Sequence, residues 1–509
     1  MTLRPYQQET VAAVQNGWRE FSKQLVVAPT GSGKTIMFSA LAKRNLPSKT
    51  LILAHRDELI DQAIDKLHLA TGIYAQKEKA EFAASLSAEV VVASVQTMAR
   101  RLDKWPADHF GLVIADEAHH ALADQWQTVL KHFDGEANVL GVTATPDRGD
   151  KKNLGRYFEA VAAEVTMLDL IRAGYLCPMM VETIPLQLDI TDCRKTAGDF
   201  NPEDLGHALE PYLEQIANIL AEVVPFRKTL AFLPLIATSQ KFVGFCKAAG
   251  LHAVHVDGLS PDRSEILGGF GAGNYDLCAN SALLLEGFDD PSIDCIVMLR
   301  PTQSRPLYAQ AIGRGTRIAP GKRNLLILDF LWQSRKHALI RPAHLVAETA
   351  ELAEAMTDET EKAAGTSQEE FDLLDLLSEA KAKREANLRA QLEKAAKKKG
   401  SRVDAMEFCF FLGAGELADY EPTFSWESKP ASPKQLESLE RAGIDLETVK
   451  DRGHASKLMD LIVTRGNAGL ATFKQIRILE KLGYPNARTA SRTAANAFLD
   501  ARLPKRKAA

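Results

Sequence analysis

Metal-ligand spacing is missing from the six cysteines, which stand at 177, 193, 246, 278, 295 and 409. No two of them sit at the intervals of a zinc site. Scattered thiols suit a reducing compartment, so the expectation is a cytoplasmic protein with free cysteines. Long apolar runs are missing too. No stretch is long enough to span a bilayer, and Met1-Thr-Leu-Arg-Pro-Tyr6 lacks the apolar region of a secretion signal. Nor is there an excess of positive charge: 62 Lys and Arg against 66 Asp and Glu leave a net −4. That excludes a uniformly basic coat but leaves room for a basic groove on an acidic body. The composition is otherwise ordinary for globular protein, 46% apolar and 25% charged. At 509 residues the chain has room for about three or four domains.

The chain is organised around Ala28-Pro29-Thr30-Gly31-Ser32-Gly33-Lys34-Thr35. An apolar run, Leu25-Val-Val27, leads into it and a helical pattern, Ile36 to Ala42, leads out. Strand, glycine-rich loop and helix in that order make a phosphate cradle. Gly31 and Gly33 free the backbone to turn its N–H groups toward anionic oxygens, and the helix start adds its positive dipole end. Lys34 supplies a mobile charge for the β and γ phosphates, and the Thr35 hydroxyl can ligate Mg²⁺. Ala28 stands where the simplest form of the motif has Gly. The implied ligands are ATP and Mg²⁺.

Further strand-like runs, Thr50–Ala54, Val90–Ala93, Leu112–Ala115 and Val139–Val142, alternate with helical patterns such as Asp57–Leu69. Alternation of this kind predicts a parallel sheet with helices on both faces and ligands at the carboxyl ends of its strands. One such end reads Leu112-Val-Ile-Ala-Asp116-Glu117-Ala118-His119. Asp116 is placed to hold Mg²⁺ and Glu117 to orient and deprotonate water.

Together, this tetrad and the phosphate loop resemble the superfamily 2 helicases of the DEAD/DEAH-box kind. The resemblance implies roles for other residues in order. Leu3-Arg4-Pro5-Tyr6-Gln7 is similar to the adenine-recognition motif, with Arg4 and Gln7 on the nucleotide. Leu53-Ala-His-Arg56 and Ser94-Val-Gln-Thr97 are similar to motifs Ia and Ib, which implies that Arg56 and Thr97 meet a nucleic-acid backbone. Thr143-Ala-Thr145-Pro146 is similar to motif III, which couples hydrolysis to the strand track through Thr143, Thr145 and His119.

A second alternation occupies the middle of the chain, with strands at Thr229–Leu233, Ala253–Val256, Tyr275–Asn280, Ile293–Leu299 and Leu325–Leu328, and an unexplained helical excursion from Asn201 to Val224. Glu286-Gly287-Phe288-Asp289-Asp290-Pro291 resembles motif V, which implies that Gly287 and Asp289 line the nucleotide; Leu285 replaces a hydroxyl residue common there. Gln310-Ala-Ile-Gly-Arg314-Gly-Thr-Arg317 resembles motif VI. Spacings of four and three put Gln310, Arg314 and Arg317 near one face of a helix, from which the arginines would reach the γ-phosphate across a cleft. Thr302, Ser304 and Arg305, just upstream, are candidate phosphate contacts.

The expected fold is α/β: two tandem RecA-like parallel-sheet lobes, residues 1–165 and 166–349, plus a helical C-terminal extension. The extension divides into a helical linker at 350–429 and two helical-hairpin repeats at 430–509. Ser432-Pro-Lys434-Gln435 to Ile444 repeats as Thr472-Phe-Lys474-Gln475 to Tyr484 at an offset of 40. The second helices align through Ala455-Ser456-Lys457 and Ala490-Ser491-Arg492, which slips the offset to 35. The repeats read equally as phosphate-holding or protein-docking modules.

The resemblance covers residues 3–330, and its compact spacing looks like the branch that includes type III restriction subunits and the transcription-coupled repair helicases. It implies an ATP-dependent DNA helicase that moves on or unwinds DNA, in DNA repair, recombination, or phage or defence metabolism. Three alternatives stay open: a duplex DNA translocase that does not unwind, an RNA helicase, and a partner-recruiting module with the ATPase as a switch. No membrane partner is expected.

Overall fold

The computed structural model describes the chain apart from residues 1, 55–56, 145–153, 197, 282–287, 289, 334–338, 348, 365–369, 397–407, 410–416, 418–419, 421, 423–425 and 503–509. It divides into two compact units, residues 1–380 and 381–509.

The first lobe of the larger unit runs α1 (Pro5–Gly17), β1 (Lys23–Val27), α2 (Lys34–Asn45), β2 (Thr50–Ala54), α3 (Asp57–Thr71), β3 (Gln76–Glu78), β4 (Val90–Ser94), α4 (Val95–Arg100), β5 (Leu112–Asp116), α5 (Asp124–His132), β6 (Asn138–Thr143) and β7 (Ala160–Glu164). Its sheet has the order β3-β4-β2-β5-β6-β1-β7, parallel throughout. The central strands are buried on both faces, which is why they read as unbroken apolar runs rather than alternating ones.

The second lobe starts at α6 (Met167–Arg172), where Thr166 and Asp169 close a capping box. It continues through β8 (Met179–Asp189), a short ribbon of β9 (Lys195–Thr196) and β10 (Asp199–Phe200), α7 (Pro202–Leu209), α8 (Leu213–Val223), β11 (Thr229–Phe232), α9 (Ile236–Ala248), β12 (Ala253–Val256), α10 (Arg263–Ala272), β13 (Leu277–Asn280), β14 (Cys295–Met298), α11 (Arg305–Gly313) and β15 (Leu325–Gln333). The excursion at Asn201–Val224 is α7 and α8: Leu213, Ile216, Ala217 and Leu220 bury themselves against the sheet face that carries Ala231 and Val297.

Residues 350–380, placed by sequence in a helical linker, pack into this lobe. They form α12 (Ala350–Ala363), β16 (Phe371–Asp372) and the start of α13 (Leu373–Ala396). Leu352, Met356, Leu373 and Leu377 join the core that holds Val181 and Ile327. The sheet order is β12-β13-β11-β14-β15-β8-β16, with β16 the antiparallel edge. The linear pattern hid this because β16 is only two residues long.

The smaller unit carries α14 (Pro433–Ala442), α15 (Arg452–Asn467), α16 (Phe473–Lys481) and α17 (Arg492–Arg502). Ser432 and Thr472 cap α14 and α16 through boxes with Gln435 and Gln475, each worth about 1 kcal/mol. The offset of 35 for the second helices is corrected to 40. Asp451 caps α15 and Ser491 caps α17. Gln435 donates to Ser456 and Gln475 to Asn496, both 21 residues on. Ala455 and Ala495 are equally buried. Matching the letters Ala-Ser-Lys to Ala-Ser-Arg aligned a mid-helix position with a cap; the counterpart of Arg492 is Arg452.

Among the described residues no helix is long and apolar enough to cross a membrane, and the six cysteines are free and buried.

Candidate active site

β1 delivers the phosphate loop at the carboxyl edge of the first sheet. Gly31 and Gly33 have φ of 87° and 76°, the left-handed region that side chains resist. Gly33 is also the N-cap of α2, so the N–H groups that open this helix face the loop. A Cβ at Gly33 would lie 2.6 Å from Gln7 Nε2. Gln7 is buried, donating from Nε2 to the Ser32 carbonyl at 3.0 Å and accepting at Oε1 from the Arg4 N–H at 2.9 Å. The Tyr6 hydroxyl donates to the same Ser32 carbonyl at 2.5 Å. Ser32 turns its own hydroxyl inward, donating to the Pro29 carbonyl at 2.7 Å. The loop is thus held from behind by α1, and Gln7 spends much of its bonding capacity on that task.

The acids stand at the end of β5. Asp116 Oδ1 accepts from the Glu117 N–H at 3.0 Å. Glu117 has φ 52° and ψ 51°, a left-handed conformation that costs a non-glycine residue about 1–3 kcal/mol. The turn aims its side chain back at the loop: Glu117 Oε1 lies 3.5 Å from Lys34 Nζ, and Oε2 lies 3.3 Å from His119 Nδ1. His119 Nδ1 is in turn 3.5 Å from the Thr143 hydroxyl. Burial, and then the charge of Glu117, push the Asp116 carboxyl up. Burial acts the same way on Glu117, but Lys34 and His119 outweigh it and bring that carboxyl down. The two neighbouring acids are driven apart, one toward its protonated form and one toward its ionised form.

The second lobe closes directly on the loop. A Cβ at Gly313 would meet Thr30 Cβ at 2.5 Å, and one at Gly31 would lie 3.4 Å from Thr316 Oγ1 and 3.7 Å from Arg317 Cγ. Arg317 therefore lies against the phosphate loop. Arg314 is fixed by donating from Nη1 to the Phe288 carbonyl at 2.7 Å. Lys66 on α3 registers both: burial lowers its ammonium pKa, the charges of Arg317 and Arg314 add to that, and Asp116 opposes. Two cations from one lobe and the acid from the other thus share one neighbourhood. One expectation needs correction. α11 ends at Gly313, so Gln310, Arg314 and Arg317 do not share a helical face. Gln310 is buried within α11, Arg314 caps it, and Arg317 lies on the turn beyond.

Comparison with known proteins identifies both lobes. Residues 1–148 match the family described as type III restriction enzyme, res subunit, and residues 212–319 match the helicase conserved C-terminal domain. IRC3 of Saccharomyces cerevisiae, assigned as an ATP-dependent helicase, is 31% identical over 369 residues, covering 67% of this chain and 53% of its own length. The mitochondrial irc3 of Schizosaccharomyces pombe, assigned likewise, is 32% identical over 359 residues, covering 67% and 59%. The chain thus spans little more than half the length of these relatives. The type ISP restriction-modification enzyme LlaBIII, in a structure bound to DNA, superposes with a TM-score of 0.54 at 16% identity, over 99% of this chain and 43% of that one. The chain belongs to superfamily 2 of the helicases.

The superfamily 2 site fits a nucleoside triphosphate with Mg²⁺ on three observations. Gly31 and Gly33 hold the left-handed turns of the loop, and a Cβ at Gly33 would crowd Gln7, so the backbone itself faces the ligand. Lys34 stands beside it. Asp116, pushed up by burial and a like charge, would be returned to its ionised form by a cation. Thr35 and Asp116 would be the protein oxygens offered to such a metal, with phosphate and water completing its shell.

Other helicase motif residues fall into place unevenly. Thr97 sits in the cap of α4, where its hydroxyl accepts from Ser94 Oγ at 2.9 Å. Ser304 caps α11. Thr302 is corrected: it is fully buried and its hydroxyl donates to Asp199 on β10, so it is not placed to meet a phosphate. Arg305 is half-buried and acts electrostatically on His344. Arg56, Thr145, Gly287 and Asp289 lie outside the described residues. Sequence reasoning missed Tyr175. Its ring packs on Tyr6 at 5.0 Å and lies under the Arg4 guanidinium at 5.1 Å, joining the lobes behind the loop. The sequence signal was an aromatic beside Gly174, which is too common to single out.

Proposed function

We propose that the chain is an ATP-dependent DNA helicase that couples hydrolysis between its two lobes to movement on, or unwinding of, DNA. The observation that carries this reading is the position of Arg317 against the phosphate loop of the opposite lobe. Hydrolysis then requires the lobes to be together, so each turnover reports on closure.

The loop amides and the start of α2 receive the phosphates, and Lys34 leaves Glu117 for the β and γ oxygens. Without its nearest cation, the Glu117 carboxylate becomes a better proton acceptor and takes the proton of the attacking water. Mg²⁺, held by Thr35 and Asp116, supplies polarisation of the phosphate oxygens when bound. Arg314 and Arg317 neutralise charge that develops on the transferred group. His119 stands between Glu117 and Thr143, the start of the coupling segment, so a change at the base is felt there. Gln7 and Arg4 border the adenine.

DNA is favoured over RNA because the family matched by residues 1–148 is described as a restriction-enzyme subunit and LlaBIII is seen bound to DNA. Six buried free thiols suit a reducing compartment such as the cytoplasm; the name of the Schizosaccharomyces pombe relative places that protein in mitochondria. The deciding experiment measures ATPase rate with single-stranded DNA, duplex DNA and RNA in turn, beside fork unwinding. Stimulation by DNA with unwinding is expected. Equal stimulation by duplex without unwinding would make the chain a translocase, preference for RNA would overturn the DNA reading, and no stimulation by any nucleic acid would overturn the motor itself.

A further inference from the structure

Between the two hairpins of the smaller unit lies a cavity of about 300 Å³, at the lower end of the range for small-ligand sites. Four cations line it: Arg441 on α14, Arg465 on α15, Lys474 on α16 and Arg492 on α17. Among the described residues no Asp or Glu lines it. Its remaining wall is largely apolar, with Phe473, Leu470 and Ile462 backed by the buried Phe408. All four helices contribute one basic group to the same hollow. Solvated charge on a helical surface would scatter instead, with acids interleaved.

The partners of these cations matter. Arg465 donates to the carbonyls of Ala471 and Arg488, both at 2.5 Å, and Lys474 donates to the carbonyl of Arg441 at 2.6 Å. Only Arg441 has a carboxylate partner among the described residues, Glu437 one turn back on the exposed face. Backbone carbonyls orient these groups without cancelling their charge. Burial lowers the Arg465 pKa, and an anion beside the guanidinium would offset that loss of solvent. Positive charge beside an apolar wall is the chemistry that recognises a nucleotide unit, phosphate on one side and base on the other.

We propose that this cavity takes one nucleotide of a single nucleic-acid strand, with its phosphate among the four cations and its base against the apolar wall. The inference rests on the reading of the chain as a nucleic-acid motor and adds a second grip, outside the lobes. It gives the hairpins one role, strand holding, in place of the two that the sequence left open.

The test uses the full chain and a fluorescein-labelled dT12 strand. Lys474→Ala with Arg492→Ala removes two exposed cations and leaves Arg465, which braces two loops, untouched. Affinity should fall about tenfold near 0.1 M salt, and the slope of log K against log salt should drop by about 1.4, two contacts at about 0.7 each. Photocrosslinking with 4-thiothymidine should mark the segment 462–474 in the wild type and lose that mark in the variant. Unchanged affinity and slope, or crosslinks confined to residues 1–380, would overturn the proposal. So would displacement of the strand from this segment by dTMP or inorganic phosphate at micromolar concentration, which would make it a free-nucleotide site. ATPase at saturating strand separates the two readings: stimulation in the variant keeps the motor whatever the cavity does.

Discussion

The two sheets of the larger unit are built to one plan and put to different uses. Edge to edge they run β3-β4-β2-β5-β6-β1-β7 and β12-β13-β11-β14-β15-β8-β16, and the positions correspond. β1 matches β8, and β5 matches β14. Yet β1 breaks after five residues into a glycine loop that cradles phosphate, while β8 runs on for eleven into a ribbon. β5 ends in Asp116-Glu117, and β14 leads to Leu299-Arg300. The difference that bears on the site lies in the segments that leave the carboxyl ends of the strands. A shared scaffold thus supplies acids and cradle from one side and guanidinium groups from the other, and neither half is complete alone.

That division can be broken from either side. Replacing the second lobe's contribution with Arg317→Ala, or with Arg314→Ala, should lower kcat for ATP by about 10³-fold or more; turnover within a few-fold of wild type would remove that arginine from the chemistry. Glu117→Gln attacks the first lobe. It should bind a fluorescent nucleotide normally and lose about 10²–10⁴ in kcat, and a wild-type rate would take Glu117 out of its role as base.

The edges of the sheets sharpen the contrast. At the outer strand of the first lobe the fully buried Glu78 pairs with Arg101 and with Lys104, at 2.6 Å to the latter. The matching strand β12 instead carries His255, bonded to Ser239 and Asp257. Glu78→Gln should cost about 3 kcal/mol, because it leaves cations facing a neutral group, and thermal melting checks it. Burial alone would raise this carboxyl, but Lys104 and Arg101 outweigh that and hold it below its usual range. Its folded value is therefore the lower one. The stability is present in full above the unfolded-state value of about 4.3 and is lost as pH falls through the folded value. The gap in Tm between wild type and variant should be flat near neutrality and close in acid.

The mildest test is Gly313→Ala, which sets a methyl 2.5 Å from Thr30 Cβ. Such crowding costs about 1–2 kcal/mol and should appear as a kcat/KM for ATP lower by about 5- to 30-fold, with unchanged melting. Unchanged kinetics would show that the lobes need not meet this closely.

The phosphate loop and the acids were legible in the sequence because their chemistry is contiguous and each comes directly after a buried strand. Assigning the arginines to one helical face failed for a local reason: Gly313 and Gly315 flank Arg314, and the helix stops there. Thr302 could not be read at all, since the carboxylate that takes its hydroxyl is 103 residues away. β16 escaped because two residues carry no period. In the hairpins, residue letters misled where caps would not have: Asp451 and Ser491 mark the true repeat.

β16 has one more consequence. Val181 on β8 pairs with Phe371, 190 residues later (371 − 181), whereas Gln24 on β1 finds Ala160 on β7, the strand in the matching place, after 136 (160 − 24). During synthesis the first lobe can finish early, while the flank of β8 stays bare until about residue 380 has left the ribosome. The second lobe is then completed later than the first, and a nascent chain halted near residue 349 would leave the flank of β8 unpaired, an edge for chaperones to guard.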